Sequence, residues 1–321
     1  MHASIGRLRY HGTGGSLFGL TLVNALLTMF TLGIYAFWGK TKVREFHYSH
    51  TEFDGDRFAY HGTGGELFLG AVFAGAGLFG LSLVFAILTA VVGGDAAPPW
   101  VGLVFLVVFY LSIIPLVIFA INGARRYRLS RSSWRGIRFS FHGRWQEFLG
   151  LMIRGTALSI VTLGFYTPYF QSQRRAFFVA HARFGSEPFL YDGDGRQLFG
   201  EFLKAVLLTI PTLGLYWIWY SAFKQRYFWD HTAMRGARFQ STISGSDLFV
   251  LHLTNLLIVV FTFGLGTPWA ITRTHSFWCD NLTLQGTVDW AAIEQRAQAA
   301  TATAEGLAEG FDIDIDVGFG G

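Results

Sequence analysis

An all-α integral membrane protein is what this sequence predicts, with about six hydrophobic helices in tandem units of roughly 50 residues and short extramembrane β-hairpins between them. Three observations predict it. Hydrophobic residues make up 51% of the 321 positions and charged residues only 14%, against about 25% charged in soluble domains. Six apolar stretches (17–38, 67–92, 100–121, 148–170, 198–220 and 248–269) each reach the roughly 20 residues that a helix needs to cross a bilayer. A Thr-Leu-Gly motif recurs inside four of them.

That motif reads Thr31-Leu32-Gly33-Ile34-Tyr35, then Thr162-Leu163-Gly164-Phe165-Tyr166, Thr212-Leu213-Gly214-Leu215-Tyr216 and the divergent Thr262-Phe263-Gly264-Leu265-Gly266. A second row, Phe46, Tyr127, Phe177, Tyr227 and Phe277, is spaced 81, 50, 50 and 50 residues apart. A third, Phe58, Phe139, Phe189 and Phe239, repeats 81, 50 and 50. Fixed periods of this size are the mark of repeated structural units. The expected division is a transmembrane domain over 1–286, with units near 8–58, 59–139 (carrying an extra helix), 140–189, 190–239 and 240–286. A C-terminal helix and acidic tail over 287–321 follow.

In chain order, Arg7 and Arg9 precede no short apolar run with a small-residue cleavage site, so the first apolar stretch is expected to stay in the mature protein. The Gly12-Thr13-Gly14-Gly15 and Gly62-Thr63-Gly64-Gly65 runs lack the ending of a P-loop and read as turns into helices. Asp54-Gly55 between short alternating runs signals a hairpin, with related turns at Arg135-Gly136, Arg235-Gly236 and Gln285-Gly286. From Asp289 an Ala-rich helix is expected to about Ala308. The tail Phe311-Asp312-Ile313-Asp314-Ile315-Asp316-Val317 alternates with the period of an edge strand. Two topologies fit the glycines: single crossings, or hairpins that turn near each Thr-Leu-Gly and return. Loop charge favours the hairpins, because they place nearly all Lys and Arg on one side. The polarity of the returning halves, such as 36–50, favours interfacial helices instead.

The strings TLGIYAFWGKTKVREF and DGDRFAYHGTGGELFLG, with the acidic tail, resemble the bacterial inner-membrane family DUF898, also called YjgN-like. The resemblance covers Tyr10 to Val317 and implies a multi-pass protein of the bacterial cytoplasmic membrane. It carries no known activity, so no functional residue transfers.

Candidate site residues come from polar groups inside apolar stretches. Arg154 and Lys204 lie 50 residues apart, and an intramembrane cation marks a permeation or anion site unless it snorkels to the interface. Asn24 and Asn255 hold matching positions and would hydrogen-bond between helices. His50, His181 and His231 share one position of the unit and form the candidate metal set, against the alternative that they serve helix C-termini. Cys279 is the sole cysteine, which excludes an internal disulfide, and no paired carboxylates or nucleophile motif points to an enzyme. No cofactor is expected. The basic residues flank apolar segments rather than forming nucleic-acid motifs, so the expected partner is the lipid bilayer, anionic lipids included. The functional expectation is a transporter or channel for a small anionic solute, with a membrane scaffold or lipid-interacting protein as the alternative.

Overall fold

The computed structural model describes residues 5–92, 98–290 and 293. Among them, ten strands close into one antiparallel barrel, and ten helices stand on one end of it. The chain begins with β1 (Ile5–Tyr10), α1 (Gly14–Phe30), α2 (Ala36–Ser49), β2 (Thr51–Phe53) and β3 (Asp56–Tyr60). The long helices α3 (Gly64–Val92) and α4 (Pro99–Ser130) come next, then β4 (Ser132–Trp134), β5 (Ile137–Phe141), α5 (Trp145–Val161) and α6 (Thr167–Ala180). The rest is β6 (Ala182–Phe184), β7 (Glu187–Tyr191), α7 (Arg196–Leu208), α8 (Tyr216–Asp230), β8 (Thr232–Met234), β9 (Ala237–Ser241), α9 (Gly245–Phe261), α10 (Thr267–Asp280) and β10 (Leu282–Gln285).

The all-α expectation is therefore overturned. Strands that flank a helix pair are neighbours in the sheet: Leu8 of β1 faces Phe53 of β2, Phe58 faces Trp134, Phe139 faces Phe184 and Phe189 faces Met234. Within a unit the strands turn tightly. Asp54-Gly55, Arg135-Gly136 and Arg235-Gly236 all have positive φ at both residues, the backbone of a two-residue hairpin whose twist suits its strands. The turn expected at Gln285-Gly286 leads to no further strand among the described residues. Instead β10 pairs with β1, Gly6 facing Leu284, and this closes the barrel. Closure leaves no edge.

Inward residues fill the lumen. Leu8, Phe53, Trp134, Phe184, Met234 and Leu284 are all buried, with Phe58, Phe139, Phe189 and Phe239 packed against them. At the end of the barrel away from the helices, Trp290 lies 4.8 Å from the Trp134 ring and 5.9 Å from Phe53. The indole N–H of Trp134 donates to the carbonyls of Phe53 (3.3 Å) and Asp56 (3.1 Å).

The expectation of six crossing helices is also corrected. Among the described residues only α3 and α4, of 29 and 32 residues, are long and apolar enough to cross a membrane. Their apolar windows are only 6% and 11% buried, unlike core helices of a soluble domain. The stretches around Thr31, Thr162, Thr212 and Thr262, for which the sequence fits single crossings and hairpins alike, are helix pairs with a turn between them. Helix α1, with 17 residues, is about 25 Å long, short of the ~30 Å hydrocarbon core.

The motif explains the turn. Leu32 (φ 51°) and Gly33 (φ 93°) reverse the chain, and Gly33 N–H reaches back to the Thr28 carbonyl at 2.8 Å. The Thr31 hydroxyl donates to the Leu27 carbonyl (2.7 Å) and accepts from the Tyr35 N–H (2.9 Å). Thr162, Thr212 and Thr262 accept from the N–H groups of Tyr166, Tyr216 and Gly266 in the same way. Polar backbone groups are thus paired within the turn. The apolar tips Leu32, Leu163, Leu213 and Phe263 are 89–97% exposed.

At the barrel end the helices are fastened individually. Thr63 and Glu66 form a capping box at the start of α3, each backbone N–H accepted by the other's side chain at 3.3 Å. Glu66 also accepts from Tyr127 Oη (2.6 Å) and pairs with Arg131, clamping the start of α3 to the end of α4. Gly14 and Gly64, the first helical residues after the turns at 11–13 and 61–63, are close-packing positions. A Cβ on Gly64 would lie 2.6 Å from the Trp38 Cα, and one on Gly14 would meet the Trp269 ring at 2.3 Å. The Ala-rich helix expected from Asp289 and the alternating acidic tail fall, past Ile293, outside the described residues.

Candidate functional site: a cationic chamber

Helices α2, α4, α6 and α10 each turn a basic residue inward near the C-terminal end. Arg44, Arg125, Arg175 and His275 stand two positions before the Phe46, Tyr127, Phe177 and Phe277 row, so they recur with its spacing. All four line a cavity of about 1360 Å³ that runs from the barrel lumen up between the helices. Lys40 and His47, one turn on either side of Arg44 on α2, join them, as does Arg128 one turn beyond Arg125. Five Lys and Arg side chains thus line the cavity, and among the described residues no Asp or Glu does. Arginine stays protonated in proteins, so the lining is cationic.

The walls hold these cations in place. The Arg125 guanidinium lies 4.2 Å from the Phe178 ring centroid, and that of Arg175 lies 4.7 Å from Trp229. Such cation–π packing fixes a guanidinium plane without neutralising its charge. Arg175 Nε is buried and has no hydrogen-bond partner among the described residues. Next to Arg44, Tyr10 Oη and His47 Nδ1 are 2.7 Å apart, and the His47 ring stacks on His275 at 3.9 Å. Burial, with a smaller contribution from Cys279, pushes the Tyr10 phenol far above its ordinary pKa, so it stays neutral. Tyr191 is raised likewise, chiefly by burial, while its bond to Ser172 opposes the shift.

Hydroxyls and aromatic rings form the floor. Thr51, Ser132 and Thr232 line the chamber at the first position of their strands. Their hydroxyls donate to the carbonyls of His47, Arg128 and Phe228 at 2.7–2.8 Å. Each bond satisfies an orphan carbonyl at a helix end and ties helix to strand. Below them Trp134, Phe184 and Trp290 close the lumen. Toward the hairpin turns the lining becomes apolar or neutral, with Ala25, Thr28, Met29 and Ala36.

The candidate residues from the sequence lie mostly elsewhere. Arg154 is exposed on α5 and does not line the chamber, and Lys204 is exposed on α7, paired with Glu201 at 2.6 Å. Asn24 does line it, donating to the Gly39 carbonyl (3.3 Å), with Oδ1 buried and without a hydrogen-bond partner among the described residues. Asn255 donates to the Ala270 carbonyl (3.3 Å) and to Thr274 Oγ1 (3.0 Å), joining α9 to α10. His50, His181 and His231 are C-caps of α2, α6 and α8, and the Nδ1 of each bonds the carbonyl four residues back at 2.7–2.8 Å. The three imidazoles are not brought together. No cluster of three metal-ligating His, Cys, Asp or Glu residues occurs among the described residues. Lys40, Arg44, Arg125, Arg128 and Arg175 do not stand out in the sequence, because basic helix ends read equally well as topology signals. For Arg44, Arg125 and Arg175 the signal is the shared spacing with the Phe46 row; Lys40 and Arg128 lie outside that spacing.

Fold and chamber together define a class: a closed barrel carrying a ring of helical hairpins around a cationic chamber. Residues 6–217 and 206–310 match the family described as "Bacterial protein of unknown function (DUF898)", and the chain belongs to that family. It is 37% identical over 133 residues to the inner membrane protein YjgN of Escherichia coli strain K12, across 41% of this chain and 30% of that protein. The YjgN protein of Salmonella typhimurium strain LT2 is 31% identical over 134 residues, across 42% of this chain and 31% of its own length. The match thus spans less than a third of these relatives. No solved structure matches the chain.

Proposed function

We propose that this protein binds an anionic amphiphile, such as an anionic phospholipid, at the cytoplasmic face of the bacterial inner membrane. The headgroup sits among Arg44, Arg125, Arg128 and Arg175, and the acyl chains lie between the apolar helical hairpins. The observation that carries this reading is a cavity lined by five cations and no described carboxylate, bounded by apolar helices on one side and a filled barrel on the other. Its 1360 Å³ exceeds the roughly 300–1,000 Å³ of a small-ligand pocket, which favours a larger occupant. The inner-membrane setting is taken from the named relatives. The basic helix ends and barrel then lie on the cytoplasmic side by the positive-inside tendency. Transport of a small anion has less support, because Trp134, Phe184 and Trp290 close the lumen beneath the chamber.

Native mass spectrometry of protein released from nanodiscs of phosphatidylglycerol and phosphatidylethanolamine tests the reading. The wild type is expected to retain phosphatidylglycerol selectively. The Arg44→Gln, Arg125→Gln, Arg175→Gln triple variant should retain it at least about tenfold less, since a charge-assisted hydrogen bond contributes about 1.5–3 kcal/mol. Equal retention by a folded triple variant would refute the proposal.

A further inference from the structure

The chamber's charge has a counterpart within the same chain. Asp312, Asp314 and Asp316 alternate with Phe311, Ile313, Ile315 and Val317, so an extended backbone would present one anionic face and one apolar face. The chamber offers both complements. Lys40, Arg44, Arg125, Arg128 and Arg175 supply positive charge, and Val43, Leu129 and Val179 supply apolar wall. The sheet offers no alternative seat, because the β1–β10 pairing closes the barrel and removes the edge that such a strand would join.

Connectivity places the segment within reach. Ile293, 5% exposed, belongs to the cluster that fills the barrel, and Trp290 lines the same chamber as Arg44. Asp312 follows Ile293 by 19 residues, an extended reach of about 60 Å. A tethered segment acts at an effective concentration in the millimolar range, so modest intrinsic affinity is enough for occupancy.

We propose that the acidic segment Phe311 to Val317 is the chamber's tethered occupant, and that an anionic lipid must displace it to bind. The displacement half rests on the lipid-binding reading above. The docking half stands without it.

Cysteine trapping in the full chain tests both halves, with buried Cys279 changed to Ser. One variant carries Ala182→Cys on the chamber floor with Ile315→Cys. A control pairs Ile315→Cys with Gln240→Cys on the exposed face of β9. With copper-phenanthroline as oxidant, the chamber pair is expected to form an intramolecular disulfide at least tenfold more than the control. Added phosphatidylglycerol should lower that yield, and so should Asp312→Asn, Asp314→Asn and Asp316→Asn together. The triple Asn variant should in turn retain more phosphatidylglycerol than the wild type. Trapping no better than the control, with lipid retention intact, would overturn the docking and leave the lipid reading standing. Efficient trapping in a protein that retains no phosphatidylglycerol would keep the docking and overturn the lipid reading. Efficient trapping with lipid retention unchanged by the Asn substitutions would overturn the displacement.

Discussion

Replacing Trp134 with Ala is expected to lower the stability of the detergent-solubilised protein by about 3–5 kcal/mol, the range for removing a large buried aromatic side chain. Trp134 is 3% exposed, and its ring packs 4.8 Å from Trp290, 5.3 Å from Phe53 and 5.7 Å from Phe184. Truncation leaves a cavity in the middle of the lumen, and it strands the Phe53 and Asp56 carbonyls that accept from the indole. Both effects act in one direction. Trp134→Phe should cost less, because most of the ring contact survives while the hydrogen bonds do not. Thermal unfolding followed by tryptophan fluorescence and circular dichroism reads the difference. A Trp134→Ala protein as stable as wild type would mean that the aromatic layer does not hold the barrel together.

A larger effect is expected at the hairpin turns. Leu32, Leu163, Leu213 and Phe263 are almost fully exposed in the isolated chain, and exposed apolar surface marks a partner or membrane contact; a lipid contact is expected. Changing all four to Asp places a charge at each tip, at about 2.5–3.5 kcal/mol per site at the centre of a bilayer and less toward its surfaces. The sum is on the order of 10 kcal/mol, comparable with the whole stability of a domain. The quadruple variant should therefore fail to accumulate in the membrane fraction as folded protein, while a quadruple change to Ile should accumulate normally. Normal accumulation of the Asp variant would place the tips in water.

How much of this could be read in the sequence depends on the range of the interaction involved. The Asp54-Gly55, Arg135-Gly136 and Arg235-Gly236 hairpins were legible because a two-residue turn leaves a local signature. The closed barrel was not, because strands of three to six residues carry little periodicity and β1 must find β10 across almost the entire described chain. The row of Phe58, Phe139, Phe189 and Phe239 was visible, and those residues lie on the inner wall of the barrel. Sequence alone could not distinguish that wall from a helix face.

Helix count failed for a related reason. Hydropathy cannot mark a turn whose residues are as apolar as the helices it joins. At 31–35 only the positive φ of Leu32 and Gly33, together with the Thr31 hydroxyl bonds, separates α1 from α2. Arg154 and Lys204 stood out because they interrupt apolar runs, yet interruption does not say which way a side chain faces. Both lie exposed, outside the chamber, whereas Arg44, Arg125 and Arg175 line it.

The expected topology has the four helical hairpins enter the membrane and return to the barrel side, and only α3 and α4 cross. Cysteine accessibility in sealed, oriented vesicles tests it most directly, using a membrane-impermeant maleimide in a Cys279→Ser background. Gly136→Cys, in the β4–β5 turn, and Glu52→Cys, on β2, should label from one side only, and Val92→Cys, at the end of α3, from the other. Leu163→Cys and Leu213→Cys should label from neither until detergent is added. Labelling of Leu163→Cys or Leu213→Cys from the side opposite Gly136 would show that the hairpins cross and would refute the re-entrant topology.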